Sequence, residues 1–284
     1  MKKLIYPYLR GFTLVEMAIV LVIVGLLMAA FLTPLSAQID QRNYGETRKT
    51  LEGLNEALLG FSVANSRLPC PDTNGDGLED IAAPVVINNA PVAPQSTQTF
   101  ACSAFEGFLP FVTIGAGSED YWANRFLYRV SPAFSNRSVI WSANGASAGT
   151  GVVLGNIYFT LASTGNITIR TRGDNTATPT PATESKFILN LATNVPAVIL
   201  SHGKNGYGAT SFSGTAMPAA PAANVDETTN NTIGTTKLTR FVSNASTACS
   251  DTAEGSSFCE YDDVVSWVSP NILFNRMVNA GKLP

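Results

Sequence analysis

The feature that most constrains this chain is a run with no polar side chain from Met17 to Leu32, inside "GFTLVEMAIVLVIVGLLMAAFL" at 11–32. With Leu14 and Val15 on the far side of Glu16, it reaches about the length one helix needs to cross a hydrocarbon core. Lys2, Lys3 and Arg10 lie among the first eleven residues, and no acidic residue does. Basic residues stay on the cytoplasmic side, so the reading puts everything after the span on the outer side of that membrane. "PLSAQ" at 34–38 has the small residues of a peptidase site, which makes a cleaved secretory signal one alternative. Glu16 weighs against it, and equally against a plain anchor. An acid in such a stretch costs roughly 2.5 to 3.5 kcal/mol on insertion, and is usually retained for a cationic partner.

The rest of the chain has the length for a real core. Of 284 residues 45% are hydrophobic and 14% charged, and 23 Gly and 16 Pro break the pattern into short pieces, which favours strands and loops. A net charge of −3 supplies no basic field, so nucleic acid is not an expected partner. The four cysteines, Cys70, Cys102, Cys249 and Cys259, contain no C-x-x-C pair, and His202 is the one histidine. An oxidising compartment explains them better than zinc does. Three connectivities are open. Cys70 with Cys102 would fasten a Pro-, Ala- and Asn-rich insertion, and Cys249 with Cys259 flank a short polar loop.

Leu35, Ile39, Leu51, Leu54, Leu58 and Phe61 recur on one helical face, with Arg48, Lys49, Glu52 and Glu56 on others. The helix is therefore expected to continue beyond the apolar run and to pack on a sheet. Pro34, with Gly25 and Gly45 nearby, predicts a kink or a melted turn, and the extended geometry before Pro69 predicts an end near Asn65. "DYWANRFLYRV" from 120 alternates as a strand. Further strands are predicted at 137–142, 151–162, 165–171, 186–191 and 196–201, in an antiparallel meander. The stretches 172–184 and 205–235 read as long surface loops. Ser269 and Pro270 open a closing helix that Gly281 ends. The fold class predicted is α+β, a long N-terminal helix packed on an antiparallel sheet head with long loops.

"CPDTNGDGLED" at 70–80 contains D-x-N-x-D-G, the first half of a calcium loop. Asp72, Asn74 and Asp76 would supply side chains, Leu78 its carbonyl, and Asp80 a further oxygen. Ala83 stands where a complete loop has a bidentate Glu. The loop looks more like the short calcium repeats of thrombospondin type 3, and the alternative is an Asn-Gly turn with solvated acids.

The basic leader, Gly11, Phe12, the acid Glu16 and the long apolar helix together resemble the type IV pilin and pseudopilin family. That resemblance implies a membrane peptidase, the prepilin peptidase, which cuts after Gly11 and methylates the new amine of Phe12. It also implies that Glu16 pairs with the amine of Phe12 on a neighbouring subunit, so that two charges costly in lipid become tolerable together. The chain then divides into a leader at 1–11, a helix at 12–65 whose first part (12–35) is membrane span or filament core, and a periplasmic head at 66–284. D-x-W-x-N-x-F-x-Y at 120–128, "SHGKNGYG" at 201–208 and "DDVVSW" at 262–267 are similar, more loosely, to segments of the major pseudopilin of type II secretion. This chain is much longer, with insertions between those segments. That protein binds calcium near its C-terminal end, where Asp262 and Asp263 fall.

The expectation is a non-enzymatic filament subunit, held in the inner membrane by a single pass before assembly into a pseudopilus or type IV pilus-like filament. Its implied partners are the prepilin peptidase, other pilin or pseudopilin subunits, and an inner-membrane assembly platform with its ATPase. One alternative is a minor pilin acting as an adhesin or ligand-binding tip subunit. Another is an anchored hydrolase using Ser147 in "GASAG", although the residues that follow read as strand where a nucleophile elbow needs a helix. His202 is expected to be a surface or turn residue, "RGD" at 172–174 carries no weight, and Trp122, Trp141 and Trp267 read as packing residues.

Overall fold

The computed structural model describes Gly11 and residues 13–82, 85–87, 95–142, 152–172, 188–240, 248–253 and 256–283. It comprises two compact units, one through Gly45 and one from Glu46 onward. The helices are α1 (Leu14–Asn65), α2 (Phe111–Ile114), α3 (Pro132–Ser135), α4 (Val225–Asn231) and α5 (Pro270–Asn279). The first strands are β1 (Val85–Ile87), β2 (Gln95–Phe100), β3 (Glu106–Phe108), β4 (Leu127–Val130), β5 (Arg137–Ser142) and β6 (Val152–Ile157). They are followed by β7 (Ile167–Arg172), β8 (Ile188–Val195), β9 (Ala197–Ser201), β10 (Thr236–Thr239) and β11 (Val264–Val268).

In the first unit α1 leaves its apolar side chains uncovered, from Leu14 at 87% exposure through Leu21 at 67% to Met28 at 64%. A helix that is apolar on every face has no core-facing stripe of its own and belongs in lipid or among other helices. Among the described residues no helix is long and apolar enough to cross a membrane. The melted turn expected near Pro34 is not seen, because helical structure runs unbroken through it. One lost backbone donor does not outweigh propagation through Leu- and Ala-rich turns.

In the second unit, Leu51, Leu54 and Leu58 follow the i, i+3, i+7 spacing of one face and are buried. Ile39 belongs to the first unit and is exposed there. Asn55 Nδ2 donates to Ser266 Oγ in β11 at 2.6 Å, and Arg276 of α5 reaches Glu56 at 3.0 Å. The first contact ties the helix to the sheet, and the second is an exposed ion pair between two helices. The chain leaves α1 through Ser66 at φ 58, and the Leu68 N–H then donates to the Phe134 carbonyl.

The central sheet has the order β11-β9-β4-β3, antiparallel throughout, with Tyr128 opposite Ile199 and Ile199 opposite Ser266. A second antiparallel sheet has the order β1-β2-β5-β6. The third, β10-β7-β8, departs from the predicted meander, since β10 runs parallel to β7. Ile167, Ile169, Val195 and Val198 form a core cluster, with Ala192, Val265 and Trp267 packed against it.

Two sequence readings are corrected here. Residues 120–126 are a turn rather than the start of a strand, because Asp120 Oδ1 accepts the N–H groups of Trp122 and Asn124 and Ala123 takes φ 64. The alternation of apolar residues there is a by-product of that turn. The stretch 205–235 contains α4, whose N-cap Asn224 accepts from the Glu227 N–H. With "VDETTNN" carrying no apolar period, only the cap marks it.

Charges are buried in this unit, but in company. Lys237 is fully buried, and its Nζ donates to Glu106 at 3.0 Å and to the carbonyls of Asn230 and Thr232 at the C-terminal end of α4. Arg129 meets the other Glu106 oxygen at 3.0 Å. Burial lowers the Lys237 pKa, and the Glu106 charge works against that shift. Arg240 bridges Asp226 at 3.1 Å and Asp251 at 2.6 Å, between the rings of Phe258 and Tyr261.

Candidate functional site

At the start of α1, Thr13 donates to Glu16 Oε2 through both its N–H and its hydroxyl at 2.9 Å, and the Glu16 N–H donates back to Thr13 Oγ1 at 3.2 Å. This reciprocal pair is a capping box, and it fixes the carboxylate over the first turn. T-x-x-E at 13–16 is the sequence signal of this cap, and it stands beside the charge of Glu16. Gly11 is exposed, and a Cβ placed on it would meet nothing within 4 Å. Phe12 lies outside the described residues.

The loop at 72–80 turns its oxygens onto its own backbone. Asp72 is fully buried, with Oδ1 accepting the N–H groups of Asn74 and Gly75 and Oδ2 accepting that of Gly77 at 2.7 Å. Asn74 Oδ1 takes the Asp76 N–H, Asp76 Oδ1 takes the Leu78 N–H, and Asp80 Oδ2 takes the N–H and hydroxyl of Thr73. The Thr73 hydroxyl holds the Asp80 carboxyl below its ordinary range. Gly77 at φ 84 is required, since a Cβ there would lie 2.6 Å from the Phe111 ring. These hydrogen bonds shape the loop from within. Cys70 and Cys102 are bonded beside it, and Cys249 is bonded to Cys259, so both of the suggested pairs form.

The acids that converge are elsewhere. Among the described residues, carboxylate oxygens of Glu227, Asp262 and Asp263 lie within 4.8 Å of one another. The first turn of α4 supplies Glu227, and the entry to β11 supplies the two aspartates. The turn after β9 closes over them, with Gly203 at φ 61 against the Asp262 carboxyl. Asn205 donates its N–H to Asp262 Oδ2 at 2.7 Å and its Nδ2 to Glu227 Oε1 at 2.9 Å. Asn224 Nδ2 holds Glu227 Oε2, and Asn230 Nδ2 holds Asp263 Oδ2. Burial, and then the neighbouring charge of Asp263, push Glu227 up to about 8. Burial pushes Asp262 up to about 7.

His202 belongs to this group and is not on the surface. It is 2% exposed, with Nδ1 3.7 Å from Asp263 Oδ1. The segments singled out at 201–208 and 262–267 are therefore brought together, while Glu227, which completes the cluster, carried no signal of its own. The third segment, at 120–128, meets the same turn through Asp120, which accepts the Ser201 hydroxyl at 2.6 Å. Ser147 and Asp174 lie outside the described residues, and Arg172 is paired with Asp226 at 2.8 Å.

The class that this architecture defines is α+β, with a long N-terminal helix and a largely antiparallel head, consistent with a pilin-like fold. Residues 9–32 match the family model for the prokaryotic N-terminal methylation motif. That match supports a type IV pilin-like precursor, processed by prepilin peptidase, anchored by its N-terminus and assembled with other pilin subunits. No curated protein matches the chain, and no solved structure does.

Proposed function

We propose that this protein is a non-enzymatic structural subunit of a type II secretion pseudopilus or a related type IV pilus-like filament. It is held in the inner membrane by one pass, with its head in the periplasm, until an assembly platform extracts it. The observation that carries this reading is the methylation motif at 9–32, placed on a helix whose opening turns are apolar and exposed with Glu16 held at their head. Removing residues 1–11 would delete three basic side chains and no acidic one. It would also create an amine on Phe12, four residues before Glu16 in its own chain, and that amine is to meet the Glu16 carboxylate of a neighbour. Two ions that each cost several kcal/mol alone in lipid then share one site.

The test is Glu16→Ala in cells that express the companion subunits. Leader cleavage is expected to continue while co-purification with the filament falls at least tenfold. Normal incorporation of that variant would refute the pairing. A Ser147→Ala variant with unchanged filament yield and no lost activity is expected under the same reading.

A further inference from the structure

Two polar atoms at the Glu227 cluster are buried without a hydrogen-bond partner, Asp262 Oδ1 and His202 Nδ1. Native proteins leave few such atoms, and a carboxyl oxygen buried beside two more carboxyl groups is a costly kind. Both Glu227 oxygens and the Oδ2 atoms of Asp262 and Asp263 are oriented by N–H donors of Asn205, Asn224 and Asn230. Second-layer amides that aim carboxylates in this way are what a cation site requires. The pseudopilin resemblance brought calcium to Asp262 and Asp263 alone. Glu227 adds a third carboxylate, and His202 adds a nitrogen.

We propose that Glu227, Asp262, Asp263 and His202 form a divalent-cation site with mixed oxygen and nitrogen donors, and that the imidazole suits it to a transition cation such as Zn²⁺ or Mn²⁺ rather than calcium. Calcium takes six to eight oxygens, whereas imidazole with carboxylates is a donor set for first-row transition ions. Two donors on one tetrahedral ion at about 2.0 to 2.1 Å lie roughly 3.4 Å apart. The 3.7 Å between His202 Nδ1 and Asp263 Oδ1 is close to that separation. The three carboxyl groups each offer an oxygen within 4.8 Å of the others, a spread that one ion can bridge after small side-chain rotations. The described thiols are all in disulfides, so they do not compete for the metal.

The test uses the full chain, purified in detergent, stripped with chelator and titrated separately with ZnCl₂, MnCl₂ and CaCl₂. Metal content by mass spectrometry should reach one Zn²⁺ per chain, with affinity falling from Zn²⁺ to Mn²⁺ to Ca²⁺. Saturating Zn²⁺ should raise Tm by about 5 °C or more. His202→Gln should weaken Zn²⁺ binding at least tenfold and leave the weak Ca²⁺ binding unchanged, and Asp262→Asn should abolish the Zn²⁺ response. If His202→Gln does not fold by circular dichroism, Asp262→Asn, nearly identical in shape, reads the same loss. Calcium bound as tightly as zinc, zinc retained by Asp262→Asn, or no metal on folded wild-type protein would each overturn the proposal. Leader cleavage and filament entry play no part in these readouts, so this idea and the filament reading fail separately.

Discussion

The two units of this chain treat their awkward groups in opposite ways. From Glu46 onward, buried charges find partners within the chain, as Lys237 does with Glu106 and Arg240 does with Asp226 and Asp251. Before Gly45, an apolar helix stands uncovered, and its one early acid is matched by the hydrogen bonds of Thr13 and by no cation among the described residues. The first unit is chemically unfinished, and the second is largely self-sufficient. Such a difference separates what the chain completes while folding from what it completes by joining another molecule. The Glu227 cluster is the exception inside the head, folded yet still suited to a cation.

The comparison can be broken or sharpened by substitution. The largest effect is expected from Lys237→Met, which leaves the buried Glu106 carboxylate to Arg129 as its one remaining cation and uncaps α4. About 3 to 5 kcal/mol of head stability should be lost in urea unfolding, and a loss under 1 kcal/mol would mean the network is not a set of needed pairs. Replacing Cys70 and Cys102 with Ser should cost about 2 to 4 kcal/mol and increase proteolytic cutting within the 72–80 loop. Thr13→Val should cost the helix start roughly 1 kcal/mol, read as faster hydrogen exchange over residues 14–17 with the head unaffected. Glu16→Ala should change urea unfolding of the head least of all, by under about 0.5 kcal/mol. A large loss there would show that the first unit is not waiting for another molecule.

The parts written locally were legible in the sequence. Glu16 after a Gly-Phe junction, the strands at 137–142 and 196–201, and the Ser269-Pro270 opening of α5 each follow from neighbours within a few residues. The parts assembled from a distance were not. Glu227 lies between Asp226 and Thr228 in a helix with no apolar period, and it becomes a neighbour of Asp262 only through contacts across 35 residues, the Asp262 N–H donating to Glu227 Oε1 at 3.2 Å beside the bridging Asn205. His202 reads as a turn residue, which it is, but the positive φ of Gly203 folds that turn inward over two acids. The 72–80 loop is legible in another way: its alternating oxygens accept backbone N–H groups a few residues away, a local pattern written in D-x-N-x-D-G itself.

The central claim, that the carboxylate of Glu16 is kept for an amine created by processing, rests on where the mature chain begins. Mass spectrometry of the N-terminal peptide from protein extracted from cells tests it most directly. The account predicts a chain that starts at Phe12 and carries one methyl group on its α-amine. A chain that starts at Gln38, or one that keeps Met1, would contradict it.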